Sequence, residues 1–283
     1  MDVAAYLKEK GPARLIVCDI DNTLVVKHHM LTKRAKAVIQ RLQRAGILFG
    51  IASGRSLQEV QRIVKRWGFE QLDVLICMNG SVLWDGIRKE KSCYHRLSGQ
   101  AIKEIMDLMS GFDHNPIIYR EDRMLCKRID EMVSCSAHSA QMEAVKVPCD
   151  EVFYQEDNEK IMFRVHACDM EQIEAYLAAH PSSAYHAFKT QDTLIEFSHR
   201  MVSKAYALKV FCERHTLPVE AVMAFGDTSN DNTMLQISGM GVCMCNGSSD
   251  TLAIADSITE KSCDEDGWAD YMEHYMDLAG EGL

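Results

Sequence analysis

Short apolar runs alternate with amphipathic segments along the first part of the chain. The runs at 14–19, 47–52 and 74–78 are continuous, which is typical of strands buried on both faces. Between them, apolar positions recur at helical spacing after Thr32 and after Ser56, two residue types that cap helices. Strands that alternate with helices in this way predict a parallel sheet.

The pattern changes at Asn79-Gly80, which is a turn signal. From Val82 to about Phe197, helical segments are separated by strands that come partly in pairs, which is typical of an α+β domain. Periodicity is poor between 145 and 159, so this stretch is left unassigned. The alternation of helix and strand returns at Lys204.

These changes predict two domains. We expect an α/β core, a Rossmann-like doubly wound parallel sheet, formed by residues 1–82 and 199–283. We expect an inserted α+β cap domain formed by residues 83–198. The sequence contains no repeat and no flexible Gly/Ser-rich linker, which favours short connections between the two.

Composition excludes some classes of protein. The chain has 283 residues, 47% of them hydrophobic, and a formal charge of -10. This acidic balance argues against a broad basic surface for nucleic acid or for an anionic membrane, although a local pocket for a small anion is compatible with it. We therefore expect no nucleic-acid partner and no membrane association.

Residues 1–10 lack the apolar region of a signal peptide, and no later stretch approaches the length of a membrane span. The eleven cysteines are scattered through apolar segments, and the close pair Cys243 and Cys245 is a weak zinc signal. We expect reduced core thiols and a cytoplasmic protein that is a monomer or a small homo-oligomer.

Candidate chemistry begins directly after the first predicted strand, where Asp19 and Asp21 are separated by one residue. Open α/β sheets place their sites at the carboxyl ends of the strands. Two acids at the end of a buried strand must be paired, change their protonation or bind a cation. We therefore predict a reactive position here.

Two further strand ends carry polar residues. Ser53-Gly54-Arg55 offers a hydroxyl and backbone N–H groups to phosphate oxygens, although Ser-Gly is also ordinary turn chemistry. The segment 226–231 supplies a second acidic cluster with oxygen ligands for Mg²⁺. Lys204, at a predicted helix start, is suited to neutralise a phosphoryl dianion, although most such lysines are simply solvated.

These pieces, in this order, resemble the haloacid dehalogenase superfamily, and specifically its Cof-type branch of subclass IIB phosphatases. Asn79-Gly80 matches the entry to the cap in that branch, and residues 245–267 match its C-terminal pattern, so the resemblance covers almost the whole chain. The four superfamily motifs are similar to residues 15–23, 51–55, 202–208 and 225–235.

The resemblance implies a covalent mechanism. Asp19 would attack phosphorus, and Asp21 would protonate the leaving oxygen and then activate water. Thr23 would help to fix Asp21. The groups expected to bind the transferring phosphoryl group are Ser53, Gly54, Lys204 and Asn230. The groups expected to hold Mg²⁺ are Asp19, the backbone carbonyl of Asp21, Asp227 and Asp231, the last directly or through water.

The implied activity is Mg²⁺-dependent hydrolysis of a small phosphorylated metabolite, with sugar phosphates as the first candidates. A phosphomutase or phosphotransferase is the alternative, because the same aspartyl phosphate can pass to another hydroxyl. A signalling receiver domain also uses strand-end aspartates, Mg²⁺, a hydroxyl and a lysine. The position of Asp21 and the large insertion count against a receiver, and steady turnover of a phosphate ester would separate the two.

Three residues depart from the family pattern. Ala205 follows the lysine where glycine is frequent, and Gly247 stands where alanine is common. Trp268 replaces a small aliphatic residue, which raises a question about local packing. None of the three removes a reactive group.

Overall fold

The computed structural model of the protein describes residues 2–25 and 30–280 and divides the chain into two compact units. The first unit is Met1–Ser92 with Ser203–Leu283, and the second is Cys93–Val202. Each is described by itself below.

The elements are given in chain order. Before the insertion come α1 (Val3–Lys10), β1 (Leu15–Cys18), α2 (Lys33–Arg44), β2 (Leu48–Ala52), α3 (Leu57–Arg66), β3 (Val74–Cys77), β4 (Val82–Asp85) and β5 (Glu90–Cys93). The second unit has α4 (Gly99–Met109), β6 (His114–Arg120), β7 (Arg123–Cys126), α5 (Glu131–Ala140), β8 (Glu143–Lys146), α6 (Glu151–Tyr154), β9 (Lys160–Val165), α7 (Met170–Ala179), β10 (Tyr185–Gln191) and β11 (Leu194–His199). After it come α8 (Lys204–Arg214), β12 (Val222–Gly226), α9 (Asn232–Ile237), β13 (Met240–Cys243), α10 (Ser249–Ile254), β14 (Ser257–Ile258) and α11 (Gly267–Ala279).

The first unit is built on an eight-stranded sheet in the order β14-β13-β12-β1-β2-β3-β4-β5. The strands from β14 to β3 pair in parallel, and β4 is antiparallel to β3. All four residues of β1 are buried, as its continuous apolar run predicts. The predicted α/β class with a parallel-sheet core is confirmed.

The boundary of the insertion differs from the predicted one. We expected the core to stop at residue 82 and to resume at 199, but β4 and β5 extend the core sheet, and the first unit runs to Ser92. The cause is the pairing of β4 with β3, in which Leu83 lies opposite Ile76 and is fully buried. A turn signal at Asn79-Gly80 therefore joins two strands of one sheet.

The helices that flank the first strands are capped as the sequence predicts. The Thr32 hydroxyl accepts a hydrogen bond from the Ala35 N–H, and the Ser56 hydroxyl accepts one from the Glu59 N–H. The apolar positions of α2 and α3 are buried, which is the expected behaviour of an amphipathic stripe. No helix within residues 2–25 and 30–280 combines the length and apolar character needed to cross a bilayer.

Trp268, the unexpected large residue, is a core residue of the first unit. It lies at the start of α11 and is 1% exposed. Its ring makes edge-to-face contacts with Phe49 at 5.7 Å and with Phe225 at 6.2 Å between centroids. Such pairs are favourable arrangements of buried aromatic rings, so the substitution adds to the packing under the sheet.

Gly247, the second departure, has a steric cause. A Cβ atom at this position would lie 2.5 Å from the Cys243 Sγ and 2.9 Å from the Asp227 carbonyl oxygen. The sulfur of Cys243 therefore occupies the space that an alanine methyl would need.

The second unit has a six-stranded sheet in the order β10-β11-β9-β6-β7-β8, antiparallel except for the β7–β8 pair. Alternate residues of β9 serve two apolar clusters, because Ile161 and Phe163 pack with α4, α6 and α7, whereas Met162 packs with α5. Most of the unassigned stretch 145–159 is loop around the end of β8 and the short α6.

Candidate active site

Three neighbouring strands bring the predicted polar residues to one edge of the core sheet. Cys18, the last residue of β1, lies opposite Ile51 of β2 and Phe225 of β12. Asp19, Ser53 and Asp227 follow these strands, so they emerge at the same carboxyl edge. The Asp19 N–H continues the ladder and donates to the Phe225 carbonyl oxygen at 3.0 Å.

Lys204 reaches the centre of this edge from the first turn of α8. Its Nζ lies 2.6 Å from Asp19 Oδ1 and 2.5 Å from Asp231 Oδ1, and its side chain is fully buried. The helix start is fixed by Ser203, whose hydroxyl accepts from the Tyr206 N–H at 3.1 Å. A solvated lysine, the simpler sequence interpretation, is excluded by this burial.

Asp231 is held by the backbone that follows β12. Its Oδ2 accepts from the N–H groups of Asp227 at 3.1 Å and of Thr228 at 3.2 Å. Gly226 leaves room for this turn, since a Cβ atom there would lie 2.4 Å from the Asp231 Cβ. One carboxylate oxygen therefore orders the loop, while the other faces Lys204.

Thr23 has a different partner from the predicted one. We expected it to fix Asp21, but its buried hydroxyl donates to Asp227 Oδ1 at 2.8 Å. The backbone turns at Asn22, between Asp21 and Thr23, where φ is 60° and therefore left-handed. Thr23 thus orients a carboxylate of the acidic cluster.

The cluster contains more negative charge than Lys204 can balance. Burial, together with the carboxylates of Asp231 and Asp227, raises the pKa of Asp19 to about 8 against the opposing effect of Lys204. Burial and Asp231 raise the pKa of Asp227 to about 6. Burial alone would lower the pKa of Lys204, but Asp19 and Asp231 outweigh it and raise that pKa, so the lysine is charged.

The donor set of the cluster suits a hard divalent cation. Asp19, Asp227 and Asp231 each offer a carboxylate oxygen, these oxygens lie within 4.8 Å of one another, and all three residues are buried. Oxygen ligands are those that Mg²⁺ and Ca²⁺ take, and a divalent charge offsets the excess negative charge. The residues present therefore fit a divalent metal ion.

Asp21 lies in a different electrostatic environment from that cluster. The Arg55 guanidinium donates through Nε to Asp21 Oδ2 at 2.8 Å and through Nη2 to Asp21 Oδ1 at 2.9 Å. Its Nη1 pairs with Glu59 in the first turn of α3. The sequence analysis gave the Arg55 side chain no role and did not identify Glu59. Arg55 precedes Ser56, the N-cap residue of α3, so helical spacing does not predict this pair.

The remaining predicted phosphate-binding residues lie at neighbouring strand ends. Ser53 is 2% exposed, and its hydroxyl accepts from the Arg55 N–H at 3.3 Å. Asn230 follows β12, and its Oδ1 accepts from the Thr228 hydroxyl at 2.9 Å. Gly54 continues from Ser53 toward α3. The structure thus joins Lys204 directly to Asp19 and places Ser53, Gly54 and Asn230 in the adjoining loops.

Comparison with known proteins identifies the family of the chain. A profile of the haloacid dehalogenase-like hydrolases matches residues 16–272. Phosphatase YwpJ of Bacillus subtilis is 27% identical over 305 residues, which cover 93% of this chain and 100% of that protein. The 5-amino-6-(5-phospho-D-ribitylamino)uracil phosphatase YitU of the same organism is 25% identical, with coverage of 93% and 98%.

A solved structure has a similar fold. The crystal structure of a haloacid dehalogenase-like hydrolase from Bacteroides thetaiotaomicron matches with a TM-score of 0.83 at 23% identity, covering 93% of this chain and 100% of that one. The resemblance to the Cof-type phosphatases of that superfamily, first recognised in the sequence motifs, is confirmed. The chain therefore belongs to the haloacid dehalogenase-like hydrolase family and is one of its phosphatases.

Proposed function

We propose that this phosphatase hydrolyses small phosphomonoesters through a phospho-aspartate on Asp19, with Mg²⁺ as its metal. The observation that carries the proposal is the contact of 2.6 Å between the buried Lys204 Nζ and Asp19, beside the carboxylates of Asp227 and Asp231. A nucleophile, a fixed cation and an oxygen ligand set are the parts that phosphoryl transfer needs.

The first half-reaction forms the phospho-enzyme. A carboxylate oxygen of Asp19 bonds to phosphorus, the bond from phosphorus to the ester oxygen breaks, and Asp21 donates a proton to the departing alcohol. Lys204 stays charged, because its two carboxylate neighbours raise its pKa, and it stabilises the negative charge on the phosphoryl oxygens. Ser53, Gly54 and Asn230 orient the same oxygens.

The second half-reaction returns the enzyme to its starting state. Asp21, now a carboxylate, takes a proton from water as that water attacks phosphorus. The bond between phosphorus and the Asp19 oxygen breaks, and inorganic phosphate leaves. Asp21 suits this exchange, because its side chain is 39% exposed and therefore open to solvent protons.

The metal would be held by Asp19, the Asp21 backbone carbonyl, Asp227 and Asp231. When bound, Mg²⁺ supplies positive charge that reduces the repulsion between an anionic nucleophile and an anionic phosphate. Thr23 supports this set through its hydrogen bond to Asp227.

The proposed substrates are small phosphorylated metabolites, with sugar phosphates first. Support comes from the relative YitU, whose name describes a phosphatase of a phosphorylated ribityl compound. We also propose that the second unit, which is the inserted domain, selects the substrate.

A phosphatase screen tests the proposal. Purified protein with Mg²⁺ is offered sugar phosphates, nucleotides and pyridoxal phosphate, and inorganic phosphate is measured. We expect turnover that a chelator abolishes and added Mg²⁺ restores. Transfer of phosphate to a second hydroxyl, without release of inorganic phosphate, would instead support the mutase alternative.

A substitution of Asp227 tests the proposed metal site. Asp227→Ala is expected to abolish turnover or to raise the Mg²⁺ concentration needed for half-maximal activity. The matched control is Asp277→Ala, which removes an exposed aspartate of α11 and is expected to leave both quantities unchanged. Full activity in chelator, or equal Mg²⁺ dependence of the two variants, would refute the assignment.

A further inference from the structure

Asn79 contacts three of the residues assigned to phosphate binding. Its backbone N–H donates to the Ser53 carbonyl oxygen at 3.1 Å, and its Oδ1 accepts from Asn230 Nδ2 at 3.1 Å. Its amide also lies against Gly54, where an added Cβ atom would be 3.1 Å from Oδ1 and 3.5 Å from Nδ2. Asn79 therefore joins the loops that follow β2 and β12.

The other end of the same amide is available to a ligand. Asn79 is 8% exposed, and its Nδ2 has no hydrogen-bond partner within residues 2–25 and 30–280. Among the described residues, Nδ2 is not one of the fully buried side-chain atoms that lack a partner, so this donor is accessible to solvent and to a ligand. The Oδ1 contact to Asn230 leaves Nδ2 as the free donor beside Gly54.

The backbone at this position is strained, and its surroundings hold it. Met78, Asn79 and Gly80 have φ values of 52°, 56° and 107°. The Met78 N–H donates to the Arg55 carbonyl oxygen at 2.9 Å, and Gly80 packs so tightly that a Cβ atom would lie 2.0 Å from the Ser203 carbonyl oxygen. Such strain persists where neighbouring structure fixes it, and it clusters at functional sites.

This segment also connects to the lysine of the site. Ser203, against which Gly80 packs, caps α8, and Lys204 is the next residue. The strained turn thus contacts the loop after β2 and the start of α8, while the Asn79 side chain reaches the loop after β12. A side chain placed between these three elements faces the groups that are proposed to surround the phosphoryl oxygens.

We propose that Asn79 is a phosphoryl-binding residue, which donates from Nδ2 to an oxygen of the transferring phosphate while its Oδ1 holds Asn230 in place. The inference rests on the proposed function and adds a ligand to it. A purely structural explanation also exists, because asparagine tolerates the left-handed backbone better than most residues. Glycine tolerates that backbone equally well, so substitution separates the two explanations.

Two variants at this position test the proposal. Asn79→Gly keeps the left-handed backbone and removes the amide. Asn79→Asp keeps an oxygen that accepts from Asn230 and loses the donor. The readouts are kcat and KM with an aryl phosphate, the inhibition constant of inorganic phosphate, and Tm as a check of folding.

We expect kcat/KM to fall, and the inhibition constant of phosphate to rise, by about 10- to 100-fold in both variants, which is the range for losing a hydrogen bond to a charged group. The Tm of Asn79→Gly should fall by no more than a few degrees, because the left-handed backbone is retained while one hydrogen bond is lost. The matched control is Thr216→Gly, which changes an exposed residue with a φ of 49° in the same unit and should alter neither kinetic quantity.

Unchanged kinetics in the folded Asn79→Gly variant would overturn the inference, and a loss confined to Asn79→Asp would do so as well, because the introduced charge alone would then explain it. Loss in Asn79→Gly with wild-type kinetics in Asn79→Asp would also overturn it, since the donor would be dispensable. A wild-type protein that hydrolyses no ester would instead refute the proposed function.

Discussion

Asp19 and Asp21 are the same residue type, one residue apart, yet the structure gives them opposite surroundings. The Asp19 side chain is 11% exposed and shares one lysine with Asp231. The Asp21 side chain is 39% exposed and receives both bonds of a guanidinium fork. Neighbours and burial therefore decide what each carboxylate can do. A buried, cation-bound oxygen suits attack on phosphorus, and a solvent-accessible group suits repeated proton exchange.

The largest expected effect comes from removing each charge in turn. Asp19→Asn should form no phospho-enzyme and show no turnover with any ester. Asp21→Asn retains the nucleophile but loses the proton donor and the base. With an aryl phosphate, whose leaving group needs little protonation, we expect a burst of phenolate close to one per enzyme, then turnover reduced by about 10²- to 10⁴-fold. Rapid-quench and stopped-flow absorbance measure the burst.

A different experimental result would contradict each half of this prediction. Wild-type turnover in Asp21→Asn would mean that the acid–base role belongs to another group. Persistent activity in Asp19→Asn would remove the covalent mechanism.

The next largest effect is on folding stability, and it compares a buried lysine with an exposed one. Lys204→Met, measured by urea unfolding in chelator, should lower the free energy of unfolding by about 3–5 kcal/mol, because it leaves buried carboxylates without their cation. Lys209→Met on the same helix removes an exposed lysine and should change it by no more than about 0.5 kcal/mol. Equal stability of the two variants would show that the buried ion pairs contribute little.

The smallest effect is a pH dependence of stability in metal-free protein. Because the folded-state pKa values of Asp19 and Asp227 are raised to about 8 and about 6, the folded state favours their protonated forms. Their stabilising contribution is complete below pH 4 and is lost as pH rises through 6 and 8.

For Asp227 this loss amounts to about 3 kcal/mol at most. Thermal unfolding of the wild type and of Asp227→Asn in chelator, from pH 5 to pH 8.5, checks it. The wild type should lose stability across this range more steeply than the variant, and Mg²⁺ should reduce the loss. Parallel pH profiles would contradict the buried-charge interpretation.

Much of the site could be predicted because strand ends are visible in the sequence. Asp19, Ser53 and Asp227 each follow a continuous apolar run, and parallel strands bring such ends together. The fork between Arg55 and Asp21 and the bond from Thr23 to Asp227 could not be predicted. They depend on side-chain directions in adjoining loops, which hydrophobic periodicity does not encode.

Two elements that the sequence analysis did not predict differ in whether the sequence contains a signal for them. The helix α11 was recoverable, since Trp268, Met272 and Tyr275 recur at helical spacing and are buried. The strand β5 was not, because its sequence Glu-Lys-Ser-Cys at 90–93 is mostly exposed and has no apolar alternation. Such an edge strand forms because a neighbouring strand offers unpaired backbone groups.

The placement of Trp268 beneath the core sheet has a practical consequence for spectroscopy. The chain has three tryptophans, and the other two, Trp67 and Trp84, also belong to the first unit, so residues 93–202 contain none. Intrinsic tryptophan emission therefore reports on the first unit alone, whereas far-ultraviolet circular dichroism reports on helices and strands of both units. A denaturation followed by both signals shows whether the two units melt as one cooperative body or in separate steps.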